Sequence, residues 1–550
     1  MERLFILNKY RYPGLLTIFL LYLLVLNNNF RGDVVMPYAI DLFCGAGGFS
    51  EGIIQAGFDI VFSSDKSPMV KETYTNRHHQ LGLIDGVDTH FELIDIKKLT
   101  ADIIFKSINN LKYGNIFQRG TIDAIFGGPP CQGFSRLGKR DSKDPRNMLF
   151  HEYLRLIRDI MPKYVVMENV TGILDMHMLD FPSVIGDKIY SGQNLVKNIL
   201  RNELSDLGYV LLDEKVLNAA DFGVPQQRNR AIFLAYRKDM SPIKYPTPKK
   251  NSYVTVYDAL GDLYTDKKYS TDFSKKSVLG RTRATNGKTL KRTTITNMEL
   301  SKHDPSVTER FSLYKQGENS SKAIKRIKEN GVDLKKIAPN LFLDSLYTLN
   351  LESNSLAIQR ELSHLNLMTE KFTKTKWLQF TNKQLELLIY YDKYDQKNFT
   401  KTIHSLAQRL DTDHHKAYIF YAKVHDQLNL AVSDHEFSEM LKNGEIDDSI
   451  AKSIFTKKSI RTRLDENTVS PTMVTLPDDF IHPFFNRVLT VREMARLQSF
   501  DDSFEFLGKR TTGGSKRALE TPQFTQVGNA VPPLLARAVA EEVHEAIKNN

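Results

Sequence analysis

An α/β fold around a parallel sheet is predicted by three features of the chain. Short apolar runs alternate with amphipathic stretches, a glycine-rich turn joins the first run to a helical pattern, and later runs end on acidic or glycine-rich sequence. The first strand is predicted over residues 38–41. The turn Phe43-Cys44-Gly45-Ala46-Gly47-Gly48 follows it, and Phe49, Ile53, Ile54 and Ala56 then recur at helical spacing up to Gly57. A second strand, 60–64, closes on Asp65, and Asp95 sits at a third strand end within Leu93-Ile94-Asp95-Ile96. Further strands are predicted over 122–126, 164–167, 209–212 and 231–235. Beyond Tyr236 the chain becomes basic and rich in Ser and Thr, and from 323 to 441 it turns polar and helical, as in 356–372 and 385–410. Patterned helices return over 487–504 and 524–547, so the α/β domain is expected to be discontinuous, interrupted by a large insert.

The composition supports a folded, multi-domain protein. The 550 residues are 41% hydrophobic and 25% charged, with a net charge of +10, which excludes disordered, collagen-like and low-complexity classes. The basic excess permits a polyanionic partner. Two cysteines, Cys44 and Cys131, cannot build a disulfide framework, so a reducing, cytoplasmic location is expected. The apolar stretch 15–26 follows Arg3, Lys9 and Arg11 but is too short for a membrane span, which takes about 20 residues. Residues 1–35 are read as an upstream extension or a misassigned start before Met36, and no stable membrane partner is expected.

Three segments carry chemistry. A glycine turn between strand and helix lets main chain approach a ligand, and an acid at the next strand end can take ribose hydroxyls; Gly45, Gly47 and Asp65 meet that pattern. Without a Walker lysine or a Gly-x-Gly-x-x-Gly order, the loop argues against triphosphates and dinucleotides. Taken alone it is equally a tight structural turn, and Phe43 is equally a core residue. Gly127-Gly128-Pro129-Pro130-Cys131-Gln132-Gly133-Phe134-Ser135 places Cys131 beyond a strand's carboxyl edge, where open α/β sheets bind ligands. An isolated cysteine is more often a small buried hydrophobe, but core packing does not call for Pro-Pro-Cys-Gln on such a loop. Glu168-Asn169-Val170 closes the 164–167 strand, and Arg228 and Arg230 alternate just before 231–235, so both are expected on one face. A salt-bridged glutamate and two solvated arginines are the plain alternatives.

In these motifs the chain resembles the DNA cytosine-5 methyltransferase family of the bacterial restriction-modification type. Asp41 to Ser50 is similar to its cofactor loop, Pro129-Pro130-Cys131-Gln132 to its nucleophile loop, Glu168-Asn169-Val170 to its acid motif and Gln226 to Arg230 to its paired-arginine motif. Arg487-Val488-Leu489-Thr490-Val491-Arg492-Glu493 and Gln526-Val527-Gly528-Asn529-Ala530-Val531-Pro532 continue the resemblance in the family's order.

The resemblance implies a Rossmann-like S-adenosylmethionine-dependent methyltransferase sheet with helices on both faces, plus a smaller inserted target-recognition domain. It implies a catalytic and cofactor-binding domain over 36–236, a target-recognition region with a helical insert over 237–486, and C-terminal motifs over 487–550. The implied cofactor is S-adenosyl-L-methionine, contacted by Phe43, Gly45, Gly47, Asp65, Asp95, Ile96, Leu149 and Asn529. Asp65 departs from the family's usual glutamate at the ribose position. The implied catalytic set is Cys131 as the nucleophile at cytosine C6, Glu168 at ring N3, Arg230 at O2, and Arg228 in support of the loop or a phosphate. Gln132 and Ser135 are implied DNA contacts, with double-stranded DNA as substrate, a flipped base, and a restriction endonuclease as functional partner. Three rivals stand beside this: a tRNA cytosine-5 methyltransferase, a non-catalytic sequence-specific DNA-binding protein, and a nicotinamide-binding oxidoreductase that would leave Pro-Pro-Cys-Gln unexplained.

Overall fold

The computed structural model describes residues 36–130, 148–249, 253–264, 271–291, 294–353, 355–367, 396–427, 432–455, 461–512 and 520–550. Ten strands precede the variable region: β1 (Tyr38–Leu42), β2 (Asp59–Asp65), β3 (His90–Leu93), β4 (Ala124–Gly127), β5 (Tyr164–Val170), β6 (His177–Pro182), β7 (Ile189–Leu195), β8 (Tyr209–Leu211), β9 (Lys215–Asn218) and β10 (Asn229–Arg237). Eight of them form one sheet in the order β3-β2-β1-β4-β5-β10-β8, with β9 pairing β10.

β1 to β5 run parallel, as the sequence predicts. The prediction fails for β10, which lies antiparallel to β5, β8 and β9. β8, β9 and β10 are joined without an intervening α-helix, and antiparallel neighbours need no helical crossover. The β6–β7 ribbon is absent from the sequence-based expectation. Its second strand, Ile-Tyr-Ser-Gly-Gln-Asn-Leu, is mostly exposed and lacks alternation.

The sheet is apolar on both faces because helices cover both. On one face Ile40 and Leu42 pack with side chains of α3 (Ala101–Ile108), α4 (Leu149–Ile160) and α5 (Val196–Asp206). On the other, Ala39 and Ile60 pack with Phe49 and Ile53 of α1 (Gly48–Gln55). α2 (Pro68–Gln80) starts three residues beyond the end of β2, with the Ser67 hydroxyl accepting from the Val70 N–H.

Chain from the far end completes the α1 face. α8 (Pro533–Lys548) contributes Leu535, Ala536, Val539 and Val543 to the same apolar cluster. A Cβ on Gly52 would lie 2.4 Å from the Ala536 side chain, so glycine is what lets the two helices touch. Before α8 come α6 (Val491–Leu497) and α7 (Gln523–Asn529). The helical pattern expected over 487–504 is realised only in α6, because Ser499 adopts a positive φ of 68° that ends it. Of the helices expected at 356–372 and 385–410, the described parts are Ser355–His364 and Gln396–Leu410. The helices between Pro305 and Phe455 bury apolar clusters of their own, one around Phe311, Leu341 and Phe437 and another around Leu406 and Phe420. Among the described residues no helix is long and apolar enough to cross a membrane.

Candidate active site

The residues expected at the cofactor converge on the carboxyl edge of adjacent strands. Phe43, the first residue after β1, adopts φ 56°, and Gly45 and Gly47 follow at φ 53° and 95°. This repeated left-handed backbone suits glycine, and a side chain on Gly47 would also press on the Tyr74 ring at 3.2 Å. Asp65 ends β2 with both carboxylate oxygens turned to main chain. Oδ2 accepts the Gly45 N–H at 3.3 Å and Oδ1 accepts the Ser67 N–H at 2.8 Å. Burial raises its pKa above the usual carboxylate value, and these N–H donors work against that rise. Asp95 lies just past β3 and is exposed, its Oδ1 accepting the Lys97 N–H at 3.0 Å, while Ile96 beside it is buried. Leu149 opens α4 half-buried, and Asn529 ends α7 exposed. The turn after Asn529 closes on the glycine loop, since a Cβ on Gly48 would lie 2.4 Å from the Val531 carbonyl oxygen.

Under this loop lies a carboxyl group that the sequence motif names without revealing its state. Asp41 is fully buried, accepts the Ser50 hydroxyl at Oδ2 (2.5 Å), and leaves Oδ1 without a partner. Burial pushes its pKa from 3.8 up to about 7. The folded chain therefore holds a proton that the unfolded chain gives up, so this group's contribution to stability falls as pH rises between the two values and stays at its least favourable above about 7. Asp41→Asn is expected to raise the melting temperature at pH 8 relative to wild type and to lose that advantage at pH 4. An equal shift at both pH values in a thermal melt would contradict this.

The expected base-handling residues fall on β5 and β10. Glu168 pairs in register with Ile232, two residues from Arg230, and Arg230 Nε lies 2.6 Å from Glu168 Oε1, both side chains being about nine-tenths buried. The Asn169 amide donates to the Pro129 carbonyl at 3.1 Å, which ties the Gly-Gly-Pro-Pro segment to the end of β5. Gly128 is tightly placed there, since a Cβ would stand 3.1 Å from Glu168 Oε2. Cys131, Gln132 and Ser135 lie outside the described residues.

Arg228, expected to support the loop or a phosphate, is turned to main chain. It is 1% exposed, and its guanidinium donates to the carbonyls of Met473 at 3.0 Å, Gly528 at 2.8 Å and Ala530 at 3.1 Å. Arg230 faces the acid while Arg228 binds main chain, so Arg228 is a positioning residue. Gln226 acts in the same way, accepting from Met473 N–H and donating to the Leu497 carbonyl. Sequence reasoning quoted Gln226 without giving it a task. Its partners lie 247 and 271 residues away, and no local pattern announces them.

Residues 38–545 match the family described as C-5 cytosine-specific DNA methylase. The chain belongs to that family. Its activity is accordingly cytosine-5 methylation of DNA. The type II methyltransferase M.DdeI of Desulfomicrobium norvegicum is 27% identical over 518 residues, covering 93% of this chain and 89% of that protein. The type II methyltransferase M.AgeI of Thalassovita gelatinovora is 27% identical over 547 residues, covering 92% and 99%. In fold, this C-5 methylase is similar to a crystal structure from E. coli described as a DNA modification methyltransferase encoded within a prophage. The TM-score is 0.50 at 21% identity, with 93% of this chain and 99% of that one covered.

Proposed function

We propose that the chain methylates C5 of one specific cytosine in double-stranded DNA with S-adenosylmethionine, through a covalent bond between Cys131 and C6 of a flipped base. The observation that carries this reading is the Arg230–Glu168 pair, 2.6 Å apart and beside the main chain that leads into Cys131. C5 of cytosine is a weak nucleophile. Addition of the Cys131 thiolate to C6 moves the ring electrons so that C5 becomes an enamine carbon able to take the methyl group the cofactor would supply; with both methyl and proton then on C5, loss of that proton with departure of the thiolate restores the ring. A free thiol has a pKa of about 8.5, and a positive charge such as Arg230 near the sulfur would raise the reactive thiolate fraction. Glu168 hydrogen-bonds ring N3 as charge builds, and Arg230 holds O2.

The residues present fit the cofactor. Gly45 leaves open space where a side chain would stand, Phe43 offers a ring, the Asp65 carboxylate suits ribose hydroxyls, and Asp95 with Ile96 suits an adenine edge. Leu149 and Asn529 flank the same edge. When bound, S-adenosylmethionine supplies an electrophilic methyl group. A base within a duplex is out of reach of Cys131, so flipping it costs roughly a few kcal/mol, with Gln132 and Ser135 filling the gap or gripping the flanking phosphate. In this reading 36–236 and 487–550 form the catalytic domain and 237–486 chooses the sequence. The relatives named type II methyltransferases support pairing with a restriction endonuclease, which this methylation would hold off the host's DNA.

Asp65→Ala is expected to weaken S-adenosylmethionine binding roughly tenfold, the worth of a hydrogen-bonded charged group, and to leave DNA affinity unchanged. Calorimetric titration with the cofactor beside a DNA gel shift checks this. Unchanged cofactor affinity removes Asp65 from the site.

A further inference from the structure

A buried polar network ties the start of α1 to the end of α2 and to two distant segments. Glu51 stands one turn beyond the glycine loop, its N–H donating to the Gly47 carbonyl at 2.9 Å. Its carboxylate receives two bonds from Arg77, Nε to Oε1 at 2.7 Å and Nη2 to Oε2 at 2.9 Å. Arg77 continues through Nη1 to the Ser503 hydroxyl at 2.9 Å and lies 3.7 Å from Asp501. Asp501 in turn accepts the Arg281 N–H at 2.7 Å. Glu51, Arg77, Asp501 and Ser503 are each no more than 3% exposed.

The remaining member comes from the basic stretch that the sequence assigns to target recognition. Thr282 is fully buried, donates its hydroxyl to Glu51 Oε2 and accepts from the Gln55 amide at 2.9 Å. Its neighbourhood docks on the cofactor half at further points: Thr285 N–H donates to the Leu81 carbonyl at 2.8 Å, and Asp502 N–H to the Ser277 carbonyl at 2.8 Å. Both hydrogen-bonding capacities of the hydroxyl are thus spent on α1, the helix that holds the glycine loop.

We propose that Thr282, acting through Glu51, is a positioning residue for the cofactor loop, so that the segment around it sets cofactor affinity and leaves DNA affinity alone. The inference rests on the cofactor reading of the glycine loop given above. A buried carboxylate that loses a donor regains it only by moving. Glu51 is one turn from Gly47, and α1 is wedged against α8 through Gly52, so the shift is passed on to the loop.

The test compares wild type, Thr282→Val, which keeps the shape and removes the hydroxyl, and Thr282→Ser, which restores it. Steady-state methyl transfer is measured with S-adenosylmethionine and DNA varied separately, with calorimetric titration of the cofactor and a thermal melt of each protein. The expected result is a rise of about five- to tenfold in the cofactor KM and Kd of Thr282→Val, with kcat and the DNA KM unchanged and Thr282→Ser close to wild type. A lower melting temperature with unchanged cofactor KM reduces Thr282 to a structural role and overturns the proposal. An equal rise in the DNA KM returns the segment to target recognition and overturns it as well. Wild type that binds no S-adenosylmethionine overturns the cofactor reading itself, and this inference with it.

Discussion

Cys131→Ser is expected to lower methyl transfer by more than about a thousandfold while cofactor and DNA binding persist. A serine hydroxyl is far less acidic than a thiol, and neither Glu168 nor Asn169, which meet the Gly128-Pro129 approach, is an imidazole base to deprotonate it. In the proposed reading binding rests elsewhere, on the glycine loop, Asp65 and the Asn529 turn for the cofactor and on the variable region for DNA. The check is a single-turnover assay with a tritiated methyl donor, run beside cofactor titration and a gel shift. Product formation within tenfold of wild type would remove Cys131 as nucleophile.

Arg228→Met is expected to be the most damaging change to stability near the site. The guanidinium serves carbonyls of Met473, Gly528 and Ala530, and each buried acceptor left without a donor costs about 1–3 kcal/mol. A total of several kcal/mol is a large part of the 5–15 kcal/mol that roughly holds a domain folded. Arg228→Lys should rescue little, because one ammonium cannot reproduce the planar fork that reaches three acceptors. Denaturant unfolding is the direct readout, with a strong fall in midpoint expected for both variants. Because Gly528 and Ala530 flank Asn529, the surviving folded protein should also bind cofactor more weakly. A variant with an unchanged midpoint and lost turnover would instead put Arg228 in contact with the reacting base.

The comparison of Arg228 with Arg230 shows where sequence reasoning stops. Spacing of two residues before a strand puts both on one face, but burial of one guanidinium among carbonyls 245, 300 and 302 residues away is decided by tertiary packing. The same holds for Glu51 and Thr282, whose partnership crosses 231 residues. What is local was legible. Phe43, Gly45 and Gly47 carry a left-handed backbone that only a short glycine-rich turn sustains, and Asp65 and Asp95 sit where apolar runs end, so the carboxyl edge could be drawn from the chain alone. Strand direction was legible where crossovers are helical, from β1 to β5, and was lost at β10, where a strand turns back with no helix between. Asp41 was visible as a motif residue, but its raised pKa comes from full burial under α1, and its sequence neighbours do not reveal that.

The measurement that tests the central claim most directly is base-resolution cytosine methylation of plasmid DNA from a methylation-free host expressing this chain. The account predicts 5-methylcytosine at essentially every copy of one short sequence, in both strands where that sequence is symmetric, and unmodified cytosine elsewhere. A plasmid that stays unmethylated while the host's tRNA gains 5-methylcytosine would contradict it.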